Sequence, residues 1–142
     1  MTNAGYSGTP LARKLGIAEG MQVAAIDPPG DYRSIAAPWP DGARLAARAD
    51  ARTGLVHLFV RERVALEREA KCLRALLGDE AVLWVSWPKK ASRVATDLTE
   101  DAIREVVLPM GWVDVKVCAV DAVWSALKLV VRRELRSEAP RR

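Results

Sequence analysis

The sequence contains 142 residues, of which 50% are hydrophobic and 28% are charged. A chain of this length and balance forms one globular domain, which excludes a disordered protein, a collagen-like repeat and a disulfide scaffold. The net charge is +4, but residues 132–142 hold five arginines and two glutamates, so the rest of the chain is nearly neutral. Nucleic-acid-binding proteins usually spread their basic residues over a whole face, so this distribution makes nucleic acid an unfavoured partner.

The start of the chain and its cysteines indicate the compartment. The first residues lack the charged segment and apolar core of a signal peptide. No apolar run reaches the ~18 residues that a membrane-spanning helix needs. Cys72 and Cys118 are expected to be reduced and structural. The sequence therefore predicts a cytoplasmic protein without a membrane partner.

The first third of the chain predicts four short elements. In chain order they are a helix over Pro10–Leu15, a strand over Met21–Ile26, a helix over Asp31–Ala37 and an ambiguous strand over Ala43–Ala49. Thr9 and Pro10 are typical of a helix start, and Gly16 is typical of a helix end. The first strand is an apolar run between turn residues, which favours burial.

The middle of the chain gives the clearest pattern. Leu55–Val60 is apolar except for His57, which predicts a strand buried on both faces. Arg61–Leu77 carries apolar residues at every third or fourth position, which predicts an amphipathic helix. Gly78 stands where a left-handed cap is preferred, and Ala81–Trp87 is then a second buried strand.

The last third predicts a helix and a hairpin. The helix begins near Thr99, because two acidic residues in its first turn complement the helix dipole. Trp112–Val120 and Val123–Arg132 are strands joined by a tight turn, so they must be antiparallel. Valines alternate with less apolar residues over 113–118, so we expect all three valines to face inward.

This element order predicts a fold class. Helices between successive strands imply right-handed crossovers and a parallel sheet covered on both faces. The expected fold is a three-layer Rossmann-like α/β sandwich, mostly parallel and ending in an antiparallel hairpin. Residues 9–133 are expected to form the single domain, residues 1–8 a mobile segment, and residues 134–142 an Arg-rich disordered tail.

Two resemblances accompany this prediction. LGIAEGMQVAAID at residues 15–27 and GDEAVLWVSWP at residues 78–88 resemble the first-strand and fifth-strand phrases of the class I S-adenosylmethionine-dependent methyltransferase superfamily. Further phrases resemble a family of small bacterial proteins that has no assigned function. They stand at Gly5–Ile17, Trp87–Lys89, Asp97–Asp101 and Asp114–Lys128.

The methyltransferase resemblance implies a cofactor loop that this chain lacks. In that superfamily a Gly-x-Gly-x-Gly loop follows the first strand, whereas the loop here is Asp27-Pro28-Pro29-Gly30-Asp31. Two prolines remove two amide donors and fix the backbone. The chain is also short by about one strand–helix unit after its second strand. We therefore expect no cofactor, with S-adenosylmethionine as a disfavoured alternative.

Few side chains suggest catalysis. No metal site is predicted, because the chain has one histidine and its two cysteines lie far apart in sequence. His57 lies within an apolar strand, so a buried, hydrogen-bonded structural role is favoured over a general base. Trp39 and Trp87 each adjoin a proline in a loop, and either could line a pocket or a partner site.

The best candidate site is positional. Ligands of open parallel α/β sheets bind beyond the carboxyl ends of the strands, where three loops should meet. The residues that these loops bring to that edge are Asp27, Asp31, Arg61, Arg63, Lys89, Lys90, Ser92 and Arg93. Their excess of cations predicts an anionic ligand. The alternative is that these loops are charged only because they are solvated.

Three functions remain open. The leading hypothesis is a non-catalytic binding or interaction module on a methyltransferase-like fold, with an anionic small molecule or a protein as partner. The second is a divergent S-adenosylmethionine-dependent methyltransferase or another nucleotide-cofactor transferase. The third is weak nucleic-acid binding through the basic tail. The proline-rich loop favours the first over the second.

Overall fold

The computed structural model describes residues 9–136, which form six strands and four α-helices. The strands are β1 (Gln22–Ile26), β2 (Arg44–Ala46), β3 (Leu55–Phe59), β4 (Val82–Pro88), β5 (Trp112–Ala119) and β6 (Trp124–Val131). The helices are α1 (Leu11–Leu15), α2 (Tyr32–Ile35), α3 (Arg63–Leu76) and α4 (Glu100–Val107). The predicted mobile segment 1–8 and residues 137–142 of the predicted tail lie outside the described residues. The start of that tail belongs to a 3₁₀ turn over Arg133–Leu135.

The six strands form one sheet in the order β2-β1-β3-β4-β6-β5. The first four strands of this order are parallel, and β6 lies antiparallel between β4 and β5. The predicted α/β fold and its closing hairpin are therefore confirmed. Because β2 and β3 lie on opposite sides of β1, the strand order reverses there, and this reversal defines the edge where ligands of such sheets bind.

Each face of the sheet carries its own hydrophobic core. Helices α3 and α4 cover one face, where Val56 and Leu58 point, and α1 and α2 cover the other, where Leu55 and Phe59 point. All five residues of β3 are buried. The prediction that this strand is buried on both faces is therefore confirmed.

The helix ends agree only partly with the prediction. Gly16 has a φ of 85° and closes α1 in the left-handed conformation that glycine favours. Gly78 does not cap α3, because the helix ends earlier and Leu77 leaves it in an extended conformation. The Leu77 side chain packs against the core, so its burial rather than a glycine turn ends the helix. At the start of α4, Thr99 Oγ1 accepts the Ala102 N–H at 3.0 Å, as the sequence predicts for a cap.

The prediction that all three valines of β5 face inward is wrong. The register between β5 and β6 shifts between Asp114 and Lys116, which places a bulge at Val115. A bulge of one residue moves every later side chain to the opposite face, so Val113 and Val117 lie on different faces. Val115 is 53% exposed and Val117 is 44% exposed.

The connection from β2 to β3 contains no helix. Residues 47–54 cross β1 and lead directly into β3, and Ala49 of this loop packs on the core beside α3 and α4. Parallel strands are usually joined by a longer crossover that contains a helix. The predicted strand over Ala43–Ala49 is thus reduced to the three residues of β2. As in the predicted order of elements, no helix lies between these two strands, and near β2 this loop covers the sheet.

Substitutions in the core test this architecture. Leu66 and Leu83 have 0% exposure and come from α3 and β4. Leu66→Ala or Leu83→Ala should each lower the free energy of unfolding by about 2–5 kcal/mol, because each leaves a cavity. Val64 lies on the solvent side of α3 and is 62% exposed. Val64→Ala should change stability by less than about 0.5 kcal/mol, and equal losses in chemical denaturation for all three variants would contradict the assigned core.

Candidate functional site

A pocket of about 430 Å³ lies at the reversal of the strand order. It is formed where β1 and β3 end and where β6 begins, because the antiparallel β6 starts at the edge where its parallel neighbours finish. Its lining includes Asp27, Pro29, Phe59, Arg61, Glu62 and Trp124. We call it the carboxyl-edge pocket.

The β1 loop gives the pocket its first wall. Asp27 follows β1 and has a φ of 55°, a left-handed conformation that aspartate tolerates better than most residues. Pro28 and Pro29 follow immediately and offer no N–H group. The short helix α2 begins only at Tyr32. The loop therefore presents a carboxylate and a proline ring to the pocket.

Aromatic rings supply the apolar part of the pocket. Phe59 ends β3, and Trp124 begins β6 with its ring at 81° to the Phe59 ring and a centroid distance of 5.2 Å. Neither Trp39 nor Trp87 lines this pocket. Trp87 is 8% exposed and packs in the core, while the Trp39 Nε1–H donates to the Ala43 carbonyl at 2.8 Å. The tryptophan that lines the pocket is Trp124, which reaches this edge because its strand runs antiparallel to β4.

The ionic groups of the pocket have no partner in the described part of the chain. Arg61, Asp27 and Glu62 are all exposed, and within residues 9–136 none of these side chains makes a hydrogen bond or an ion pair. Two carboxylates thus stand beside one guanidinium group, and a ligand can pair with any of the three.

The structure brings only two of the eight predicted edge residues into the pocket, namely Asp27 and Arg61. Asp31 accepts a hydrogen bond from the Ser34 hydroxyl at 2.8 Å and lies outside the lining. Ser92 donates its hydroxyl to the Lys89 carbonyl at 2.7 Å within a short turn. The same turn beyond β4 holds the remaining basic residues, which also lie outside the lining: Lys89, Lys90 and Arg93.

Arg63 is held away from the pocket by acidic residues. Its guanidinium group pairs with Glu105 of α4 at 2.8 Å and with Glu67 one turn along α3 at 3.3 Å. These hydrogen bonds raise the pKa of Arg63. The backbone N–H of Arg63 donates to Asp97 Oδ1 at 2.7 Å, so an acidic side chain from a distant loop caps α3. Sequence spacing places Arg63 at the correct edge but does not reveal these long-range partners.

A buried hydrogen-bond chain lies beneath the pocket. The hydroxyl oxygen of Tyr32 is 2.6 Å from Nδ1 of His57, and Nε2 of His57 is 2.5 Å from Oγ of Ser86. His57 has 0% exposure, so the predicted buried and hydrogen-bonded histidine is confirmed. Phe59 stacks on the His57 ring at a centroid distance of 4.2 Å and lies between these hydrogen bonds and the pocket.

Burial keeps the rings of His57 and Tyr32 neutral. It lowers the pKa of His57 to about 3, because a buried imidazolium would lose its hydration. Burial also raises the pKa of Tyr32 above its ordinary value, and the nearby Cys118 adds to this effect. Burial likewise raises the pKa of Cys118, with Lys14 and Lys116 opposing the shift. Neither ring therefore carries charge near neutral pH.

The described part of the chain contains neither a metal-binding cluster nor a membrane-spanning helix. Residues 9–136 contain no group of three or more histidine, cysteine, aspartate or glutamate side chains placed to hold a metal ion. Within the same residues, every helix is too short or too polar to cross a bilayer.

Comparison with known proteins defines the class of fold. No protein-family model and no curated protein matches the sequence. An S-adenosylmethionine-dependent methyltransferase from Aquifex aeolicus superposes with a TM-score of 0.62 at 11% identity, covering 84% of this chain and 87% of that chain. A putative type 11 methyltransferase from Sulfolobus solfataricus gives 0.56 at 11% identity, covering 90% and 91%. TrmN from Thermus thermophilus gives 0.55 at 13% identity, covering 86% and 47%.

These similarities show that the protein has a methyltransferase-like Rossmann fold, as the sequence resemblance predicts. The likeness concerns the fold alone at such low identities. Because one fold supports many activities, function depends on the side chains of the site and not on the fold.

The neutral His57 predicts a pH dependence of stability. Its pKa is about 3 in the folded protein and about 6.5 in an unfolded chain. Between these values the unfolded chain binds more protons, so stability is complete above about pH 6.5 and falls as the pH is lowered. The free energy of unfolding should be about 2 kcal/mol lower at pH 5 than at pH 7.

Chemical denaturation at the two pH values measures this difference. The chain has one histidine, so a His57→Gln variant removes the only imidazole while it keeps a polar side chain at the site. The variant should lose most of the difference between pH 5 and pH 7, whatever its absolute stability. An unchanged difference in the variant would show that other groups cause the pH dependence.

Proposed function

We propose that the protein binds a small organic molecule in the carboxyl-edge pocket and acts as a binding module. The observation that carries this proposal is the meeting of free ionic groups with two aromatic rings at the reversal of the strand order. Such a combination is typical of ligand pockets, in which apolar walls give affinity and a few polar groups fix orientation.

The charges of the pocket favour a ligand with a cationic group. Asp27 and Glu62 outnumber Arg61 in the lining, and the two lysines that follow β4 lie outside it. The face of Trp124 can add a cation–π contact when an amine lies over the ring. A planar apolar group beside an amine therefore fits this lining better than the anion that the sequence predicts for the whole edge.

Binding without catalysis is favoured by the burial of the single histidine and by the two prolines of the β1 loop. His57 is fully buried beneath Phe59, so a ligand in the pocket does not touch its ring nitrogens. The two prolines of the β1 loop remove amide donors from the place where methyltransferases hold their cofactor. The pocket thus keeps recognition groups and offers no imidazole for proton transfer.

A divergent S-adenosylmethionine-dependent transferase is the second candidate. Its support is the fold similarity to methyltransferases, together with the position of the pocket at the same edge of the sheet. This candidate requires the cofactor to bind without the amide donors that the two prolines remove.

Titration with the cofactor distinguishes the two candidates. Calorimetry with S-adenosylmethionine and with S-adenosylhomocysteine should give dissociation constants weaker than about 1 mM, or about −4 kcal/mol. The reason is that Pro28 and Pro29 have no amide N–H to donate. A micromolar constant for either compound would favour the transferase.

A matched pair of probes tests the binding proposal itself. Tryptamine and indole-3-acetate share a ring but carry opposite charges. In NMR titrations, tryptamine should shift resonances of Phe59 and Trp124, and indole-3-acetate should bind more weakly. An Asp27→Asn/Glu62→Gln variant should weaken tryptamine binding several-fold, because it removes both pocket carboxylates.

The control variant is Asp41→Asn/Glu80→Gln, since it removes two exposed carboxylates outside the pocket. It should bind tryptamine as the unmodified protein does. Tighter binding of indole-3-acetate would restore the anionic ligand. Binding of neither probe at millimolar concentration would contradict a ligand pocket of this charge.

A further inference from the structure

A second depression, of about 290 Å³, lies at the other end of the parallel strands, beside β2. Its lining includes Arg44 from β2 and Arg48 and Arg52 from the loop that crosses to β3. Gln22 and Thr53 complete its polar wall. We call it the arginine pocket, and it shares no residue with the carboxyl-edge pocket.

The missing crossover helix explains why this depression exists. Arg44 pairs in register with Gln22 of β1, so both side chains lie on the face that α3 and α4 cover elsewhere. Over β1 and β2 that face carries the loop 47–54. A helix there would fill the space beside β2, whereas the loop leaves it open and places two of its own arginines around it.

The charges in the arginine pocket are poorly compensated. Arg44 donates to the amide oxygen of Gln22 at 3.3 Å, and within residues 9–136 the guanidinium groups of Arg48 and Arg52 have no partner. Asp50 is the one acidic residue in the lining. Its Oδ1 accepts the backbone N–H of Arg52 at 2.8 Å, so this carboxylate is already used to hold the loop.

Three guanidinium groups against one carboxylate leave a net charge of +2 around a single depression. Like charges around one depression repel one another, and an anion between them relieves this repulsion. Guanidinium groups match the oxygens of phosphate in a bidentate geometry, which makes arginine better suited to phosphate than to a monovalent anion.

We propose that the arginine pocket binds a compact phosphate ligand, such as the diphosphate part of a small molecule. The size of the depression favours a compact ligand over a nucleic-acid strand, which needs a basic surface that extends over a face. The nearly neutral charge of the chain outside its last residues supports the same choice. This site is independent of the ligand proposed for the carboxyl-edge pocket.

Titration with inorganic pyrophosphate tests the proposal. NMR detection of the arginine Nε–H signals reports directly on the three side chains. Pyrophosphate should saturate these signals with a dissociation constant below about 1 mM, at an ionic strength held constant with sodium chloride. The Arg48→Ala/Arg52→Ala variant should bind at least tenfold more weakly.

The matched control is Arg68→Ala/Lys71→Ala. It also removes two positive charges, but from the exposed side of α3, away from the arginine pocket. This variant should bind pyrophosphate within twofold of the unmodified protein. Thermal melts of both variants confirm that each is folded before its affinity is compared.

Three results would overturn the proposal. The first is a lack of saturation by pyrophosphate. The second is an equal loss of affinity in the two variants, which would indicate a general effect of net charge. The third is tighter binding of a single-stranded oligouridylate than of pyrophosphate, with loss of that binding in the Arg48→Ala/Arg52→Ala variant, which would assign these arginines to nucleic acid.

Discussion

The fold depends on the burial of β3 between two hydrophobic cores. This strand pairs with β1 on one side and β4 on the other, and helices cover both of its faces. One polar side chain, His57, lies at its centre and has to be hydrogen-bonded, since an unpaired buried imidazole is costly. Tyr32 and Ser86 satisfy its two nitrogens, and they tie α2 and β4 to the central strand. The two hydrogen bonds of His57 therefore hold α2, β3 and β4 in place beneath the carboxyl-edge pocket.

Much of the fold follows from local sequence patterns. The apolar runs of β1, β3 and β4 and the stripe of α3 are visible without the structure, because burial on two faces and on one face leave different periodicities. The bulge in β5 is not visible in this way. Val115 looks like its neighbouring valines, and only the pairing with β6 shows that it takes an extra position. The end of α3 is similar, because packing of Leu77 outweighs the local preference of Gly78.

The site was predictable to the level of an edge but not to the level of side chains. Topology alone places Asp27 and Arg61 where β1 and β3 end, and both line the pocket. Arg63 lies two positions after Arg61, yet its guanidinium group pairs with Glu105 of α4 and does not line the pocket. Trp124 was predicted only to pack in the hairpin, because its place at this edge follows from the pairing of β6 with β4, which the sequence does not display. Contacts between residues far apart in sequence decide these outcomes, and a single sequence does not display them.

The bulge in β5 also affects the open edge of the sheet. β5 is the last strand of the sheet, and its outer backbone groups have no neighbouring strand within the described chain. A straight edge strand with exposed valines would be a template on which a second molecule could add its own strand. Here the bulge at Val115 breaks the regular spacing of those backbone groups, and the exposed Lys116 next to it adds a charge that another apolar edge would have to desolvate. The irregularity in the hairpin thus makes β5 a poorer template for strand addition than a straight edge strand would be.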